Sequence, residues 1–205
     1  MQGTTNFSRS DQKAHSIITA AREHFYRDGY AATSVEAIGK GARIGKATIY
    51  KHFGSKQALF AAVVAQENRL GLEEISTVLT GDGNLVDRLN SAAAMLLELL
   101  TAPDFIASYR MVMSEATRLP ELATLYYGGA IHLLATLSEA FAALADAGQL
   151  TVTDPRLAAE QFVGLIRGDL QLRALLGISA PNGVERDDII KNGVAVFARY
   201  YATDT

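Results

Sequence analysis

A chain of 205 residues, 49% hydrophobic and 20% charged, has the length and apolar content for a sizeable core, and such a composition argues against disorder. It contains no cysteine, which excludes disulfides, thiolate metal sites and cysteine nucleophiles. The formal net charge of −3 hides a division, because residues 1–60 carry nine basic and four acidic side chains and leave ten basic against eighteen acidic for the remainder. A basic head on an acidic body is the footprint of polyanion binding confined to one end.

The first sixteen residues have no apolar run of the signal-peptide kind. The longest apolar-rich stretch, Ala92 to Leu100, carries Glu98 and is too short to span a bilayer. The expectation is a cytoplasmic protein with no membrane partner.

Residues 1–10 read as a polar arm. Asp11 to Arg27 carries Ala14, Ile17, Ile18, Ala21 and Phe25 at helical spacing, and Gly29 stops it. Thr33 and Glu36 make a T-x-x-E capping box, which starts a short helix at Ser34. Val35 and Ile38 form its inward edge, and it runs out in Gly41-Ala42-Arg43. A second short helix, Lys46 to Phe53, has Ile49 and Phe53 on one face and Lys46, Thr48, Tyr50, Lys51 and His52 on the others. An apolar-backed helix with a basic, hydroxyl-bearing, aromatic outer face suits a DNA major groove, because phosphates need cations and base edges need hydrogen-bonding groups. The stretch from Thr33 to Phe60 therefore predicts a helix-turn-helix.

Ser55 can cap the next helix, which runs to about Leu79 with Leu59, Phe60, Val63 and Leu70 along one side. At 1.5 Å per residue it would be roughly 37 Å long, enough to join head to body. Gly81-Asp82-Gly83-Asn84 breaks the chain. Beyond it there is no strand signal. Helices are expected over Leu85–Thr101, over Pro103–Arg118, and from Pro120, a first-turn proline, to about Ala147 with a kink at Gly128-Gly129. Asp154-Pro155 supplies an N-cap and N1 proline for a helix to Leu176, stopped by Gly177. Pro181-Asn182-Gly183 makes a turn, and a last helix runs from about Glu185 to Tyr201. The reading is all-α with nine helices, divided into a three-helix head over residues 1–54 and a helical body over 55–205.

In the helix from Pro155 to Leu176, one stripe is Ala158, Phe162, Leu165, Leu172 and Leu176, and another is Val163, Ile166 and Leu170. A helix apolar on two sides must bury both. Gly164 and Gly168 offer room for close helix approach. The last helix places Ile190, Val194, Phe197 and Tyr201 on one side, with Gly193 as a close-contact point. Asp169 falls within the first stripe, where an unpaired carboxylate is costly. Arg173, four residues on, is the expected partner, and ligand recognition is the competing assignment.

The window from Thr33 to Phe60 resembles the DNA-binding signature of the TetR family of bacterial transcription regulators. The matching residues are Thr33-Ser34, Ile38, Ala42, Ile44, Lys46, Thr48, Ile49-Tyr50, His52-Phe53, Ser55-Lys56 and Leu59-Phe60. The segments RMVMSEATRLPELATLYYGG and DPRLAAEQFVGLIRGDLQLRALLG are similar to the AefR-like subgroup. Two positions depart from the pattern: Arg43 stands where the family has Gly, and Gly45 where it has Ser. A non-glycine residue at positive φ costs about 1 kcal/mol, so the turn is expected to be reshaped around Gly41 and Gly45.

The resemblance implies phosphate contacts from Thr33 and Tyr50, a backbone contact from His52, and a phosphate held by Lys56. Lys46, Ala47, Thr48 and Lys51 would face base edges or nearby phosphates. It implies a homodimer on a near-palindromic double-stranded operator, built through the last two helices with Phe162, Leu165, Leu172, Leu176, Val194, Phe197 and Tyr201. It also implies a pocket for a small hydrophobic effector enclosed by the helices between Leu85 and Ala147. Candidates to line it are Met95, Phe105, Tyr109, Met113, Tyr126, Tyr127, His132, Phe141 and Phe162, with core packing as the competing assignment for each. The expected function is a ligand-responsive transcriptional repressor released by its effector, without metal or cofactor. One alternative keeps the head and gives the body a protein partner. A remoter one is a small helical enzyme, for which no zinc-spacing cluster, phosphate loop or acid–base pair is present in the sequence.

Overall fold

In the computed structural model, residues 9–178 and 183–203 are described, and they form ten helices. The expected polar arm up to residue 8 and the Pro181-Asn182 part of the expected turn lie outside the described residues, as does the Leu70 side chain. The helices are α1 (Arg9–Asp28), α2 (Val35–Ala42), α3 (Lys46–Phe53), α4 (Lys56–Thr80), α5 (Leu85–Thr101), α6 (Pro103–Glu115), α7 (Pro120–Asp146), α8 (Pro155–Arg167), α9 (Leu170–Leu176) and α10 (Gly183–Tyr201). The all-α reading holds.

The count of nine helices does not. The expected helix from Pro155 to Leu176 breaks after Arg167, where Gly168 takes φ 50 and ψ −135, a conformation closed to residues with a β-carbon. Gly168 ends α8, and a β-carbon there would meet Ile189 at 3.8 Å, whereas Gly164 has open space beside it. α7 continues as one helix through Gly128 and Gly129. It is also long and apolar enough by itself to cross a membrane, whereas the longest apolar-rich stretch is expected at Ala92–Leu100. In this fold Leu133, Leu137, Ala140, Phe141 and Leu144 of α7 are buried in a protein core.

The chain divides into two compact units, one of residues 1–66 and 111–126 and the other of 67–110 and 127–205. The boundary expected at residue 54 therefore falls inside the first unit. The cause is core volume: three short helices bury too little, and Leu59, Phe60 and Val63 of α4, Met111 and Val112 of α6, and Leu122 of α7 complete the cluster around Ile17, Phe25, Ile38 and Ile49. Phe25, Tyr30 and Phe60 form its centre, with ring centroids 5.4 to 5.6 Å apart.

The second unit is built on α5, whose Leu89, Ala92, Ala93, Leu96, Leu97 and Leu100 are buried at helical spacing. Phe141, Phe162 and Phe197 pack against one another at 5.0 to 5.4 Å. α10 meets α8 closely at Gly193, where a β-carbon would lie 3.2 Å from the Leu165 carbonyl oxygen. Arg88 is buried within this unit. Its guanidinium donates to the carbonyls of Leu79 at 2.6 Å and Gly81 at 2.9 Å, and to Gln149 Oε1. These bonds close the C-terminal end of α4, whose last carbonyls have no helical partner. Arg110 does the same for α9, donating to the carbonyls of Leu175 at 2.8 Å and Ala174 at 2.7 Å. Neither arginine was singled out from the sequence, because the partners are backbone atoms remote in the chain.

The turn between α2 and α3 is not reshaped around Gly41 and Gly45. Arg43 itself takes the left-handed position, φ 56 and ψ 38, and Gly45 is extended at φ −67 and ψ 144. Two bonds hold it: Ile44 N–H donates to Gly39 O at 2.9 Å and Arg43 N–H to Lys40 O at 3.2 Å. This is a Schellman ending, in which an arginine occupies the usual glycine site. The glycine that matters sterically is Gly39, where a β-carbon would lie 2.6 Å from the Ile44 carbonyl oxygen and 3.8 Å from the Lys46 nitrogen.

Two opposite outcomes follow from this turn. Gly39→Ala should lower the melting temperature despite the better helix propensity of alanine, since forced backbone shifts cost about 1–3 kcal/mol. Arg43→Gly should raise stability by about 1 kcal/mol through relief of the left-handed conformation. A Gly39→Ala protein that melts with the parent would show that this contact does not constrain the α2–α3 crossing. In the second unit, Arg88→Met keeps the apolar stem but strands the α4 carbonyls. Urea unfolding should show a loss of about 2 kcal/mol.

Candidate nucleic-acid interface

α2 starts one residue later than its expected box. Ser34 is the N-cap, and its Oγ accepts from Ala37 N–H at 3.1 Å. Thr33 is only 3% exposed, and its hydroxyl donates inward to the carbonyls of Gly29 at 2.8 Å and His24 at 3.0 Å. The threonine thus ties the start of α2 to the end of α1, and its side chain is turned away from solvent. Glu36 does not complete a box with it. Its carboxylate pairs with the Lys46 ammonium instead, which lowers the pKa of Glu36 and raises that of Lys46 through their shared hydrogen bond.

α3 covers Lys46–Phe53, as the spacing predicts, and Gly45 makes no side-chain cap. Ile49 is buried against the head core. Lys46, Ala47, Tyr50 and Lys51 are exposed, and Thr48 and His52 are partly so. With Ile49 held inward, helical geometry turns the opposite face of α3 to solvent. Tyr50 is 40% exposed, and the Lys46 Nζ stands 5.6 Å from its ring centroid. Packing against the head therefore leaves part of the Tyr50 ring open to solvent.

Ser55 caps α4 by accepting from Ala58 N–H at 3.0 Å. Lys56, the first residue of α4, lies over the Tyr30 ring with Nζ 4.4 Å from the centroid, and it donates to Ala31 O at 3.5 Å. Burial pushes its ammonium below the ordinary lysine value, against a smaller upward pull from the Glu115 carboxylate. The same enclosure pushes the Tyr30 hydroxyl up to about 12, with Glu121 and Glu115 adding to the effect of burial. Lys56 is thus anchored by the head, with ammonium protons left over for an anion. Tyr30 was not marked as its seat by any sequence signal.

The residues assigned to a partner copy divide in two. Phe162, Val194, Phe197 and Tyr201 are buried in the core of the second unit, and the Tyr201 hydroxyl donates to Gln161 Oε1 at 2.6 Å. They are inward because α8 and α10 pack on each other through that stripe. Leu165 is partly buried, whereas Leu172 and Leu176 are exposed, as are Leu157, Val196 and Tyr200 on the same two-helix layer and α9. Asp169 is exposed and pairs with Arg173 at 2.7 Å, as expected, and Glu185 joins from α10 at 2.7 Å.

The pocket candidates also separate. Met113 and Tyr126 belong to the first unit, and Met95, Phe105, Tyr109, Tyr127, His132, Phe141 and Phe162 to the second. Phe141 and Phe162 are core residues, and Met95 and Phe105 pack against that core. Tyr109 is half-buried and His132 is exposed. Met113 is 63% exposed and Tyr127 61% exposed. Among the described residues no group of three or more His, Cys, Asp or Glu side chains is placed to hold a metal ion.

Comparison with known proteins agrees with this geometry. Residues 17–63 match the family model for bacterial regulatory proteins of the tetR family, and residues 87–203 match that of the AefR-like transcriptional repressor C-terminal domain. A TetR-family regulator structure from Mesorhizobium loti superposes with a TM-score of 0.84 at 28% identity, covering 96% of this chain and all of that one. The flavonoid-responsive regulator FrrA superposes with a TM-score of 0.77 at 31% identity, covering 95% of this chain and 99% of that one. The transcriptional regulator UidR of Escherichia coli is 28% identical over 109 residues, 53% of this chain and 54% of that protein. The match thus spans about half the length of such curated relatives. With head and C-terminal domain both matched, the chain belongs to the TetR family of bacterial regulatory proteins and carries an AefR-like C-terminal domain.

Proposed function

We propose that the chain is a dimeric, cytoplasmic transcriptional repressor that binds a near-palindromic operator and is released by a small hydrophobic effector. The observation that carries the DNA-binding part is α3: Ile49 locked into the core, with Ala47, Tyr50 and Lys51 exposed together on a basic head. Tyr50 and Lys51 would bind phosphate or base edges, with Lys46, Ala47 and Thr48 beside them and His52 on the backbone. Lys56, held over Tyr30, would take a phosphate at the start of α4. The side chain of Thr33 drops out of this set because its hydroxyl is already used. Phosphate at that point would meet the first backbone N–H groups of α2.

Dimerisation would use the exposed apolar residues Leu172, Leu176, Val196 and Tyr200 rather than the buried stripe. Two heads would then read half-sites about one helical turn, roughly 34–36 Å, apart. An aromatic effector is supported by one relative, since FrrA is described as flavonoid-responsive. Coupling is reciprocal, so an effector that weakens operator binding binds the DNA complex less tightly than the free protein.

The DNA-binding reading is tested by selecting bound sequences from a random duplex pool. Gel shifts with the selected site should then show Tyr50→Ala weakening the complex. Lys51→Ala should cost about eightfold at 0.1 M salt and flatten the salt slope by about 0.9, the value of one lost phosphate contact. Parental affinity in both variants would remove α3 from the interface. A Leu176→Asp/Tyr200→Asp protein should scatter light as a monomer at micromolar concentration and lose operator affinity; a persistent dimer would place the interface elsewhere. A panel of flavonoids and other planar aromatics should contain compounds that release the selected duplex, and a panel without effect would point to another effector class.

A further inference from the structure

The Lys46–Glu36 pair puts a carboxylate beside the face proposed to meet DNA. Glu36 stands in the first turn of α2 and Lys46 in the first turn of α3, and their side chains are 55% and 49% exposed. Pairs this exposed contribute little to folding stability, because solvent screens them and two long side chains must be ordered. A favourable position near the positive end of α2 accounts for an acidic residue at 36, but not for a partner drawn from the next helix. The consequence lies in the charge facing a duplex. The Lys46 ammonium is hydrogen-bonded to the Glu36 carboxylate and stands 5.6 Å from the Tyr50 ring centroid. In the free head, the cation nearest the start of α3 is therefore already neutralised.

Resting on the reading of α3 as the DNA-facing helix, we infer that Glu36 is a specificity-determining residue that holds Lys46 away from phosphates on arbitrary DNA. On a non-cognate duplex, freeing Lys46 exchanges one carboxylate for one phosphate and leaves the Glu36 charge facing a polyanion, so the exchange yields little. On a cognate site a neighbouring cytosine can offer its N4 amino group to the Glu36 carboxylate, which leaves Lys46 free to bind. The pair thereby subtracts one phosphate contact from sequence-independent binding, the term that depends on counterion release. Discrimination rises because the wrong partner is penalised.

The experiment measures affinity for the pool-selected operator and for a scrambled duplex of equal length, between 50 and 300 mM KCl, for the full-length protein and its Glu36→Gln, Lys46→Gln and doubly substituted forms. Tyr50→Ala serves as a control on the DNA-binding reading. Glu36→Gln should bind the scrambled duplex about eightfold more tightly at 0.1 M salt, with a salt slope steeper by about 0.9, as one recovered contact implies. Its ratio of operator to scrambled affinity should fall. In the Lys46→Gln background, Glu36→Gln should have no comparable effect, because the cation it would release is gone. An equal gain in both backgrounds would make Glu36 a general repulsive charge and overturn the inference, as would an unchanged scrambled affinity for Glu36→Gln. If the parent protein binds no duplex, or Tyr50→Ala binds like the parent, the reading of α3 fails rather than the role of Glu36. Melting curves identify any variant that misfolds, in which case Glu36→Asp replaces Glu36→Gln and the shorter carboxylate should give a partial gain.

Discussion

The carbonyl oxygen of Ile44 occupies space that a β-carbon on residue 39 would need, and the candidate DNA-facing surface depends on that approach. With Gly39 in place, the chain leaves α2 by a two-bond ending and reaches Lys46 within a few residues. Ile49 can then enter the core that Ile38 and Phe25 also occupy, and its burial decides which residues of α3 face outward. Arg43 in a left-handed conformation is the local strain accepted in return, of the order of 1 kcal/mol. Burial of Ile49, an isoleucine side chain, is worth roughly 1.5–3 kcal/mol. Burial outweighs the strain, which explains why an arginine is tolerated where a glycine would be easier.

The head does not end where its three helices end. Its aromatic centre joins Phe25 of α1, Tyr30 of the following turn and Phe60 of α4. Lys56 is laid over the outer ring of that centre. The cation assigned to phosphate is thus placed by the same residues that make the core. Surface cations on long stems are ordinarily free to swing, and a ring beneath the ammonium restricts that motion while desolvating it. Lys46 is restrained differently, by a carboxylate, and Lys51 is exposed without either device in the described contacts. The three lysines of the candidate interface are therefore held in three different ways.

The second unit shows a different economy. Its helices are apolar enough that one of them has the composition of a membrane span, yet two arginines serve as end-pieces for α4 and α9. The last carbonyls of any helix lack a helical partner, and a guanidinium with several donors can serve two of them at once. The break at Gly168 adds further helix ends, and Asp169, Arg173 and Glu185 bridge α9 to α10 just beyond it.

What the amino-acid sequence determined by itself were the features with local causes. Helical periodicity, the Ser55 and Asp154 caps, the Pro120 and Pro155 starts and the Lys46–Phe53 helix all arise within a few residues, and all appear where they were expected. The family resemblance in the head was carried by side chains between Thr33 and Phe60, over two short helices and the start of a third. Tertiary structure decided whatever depended on competition between partners far apart in the chain. Thr33 lost its capping role to Ser34 because the carbonyls of His24 and Gly29 were in reach of its hydroxyl. Phe162, Val194 and Phe197 could equally have faced a second copy, since an apolar stripe does not state what covers it, and the fold covered them itself. Glu36 found Lys46 rather than a cap because the α2–α3 turn brings two helix starts together. Spacing along a chain reports which residues share a face; only packing settles what each face meets.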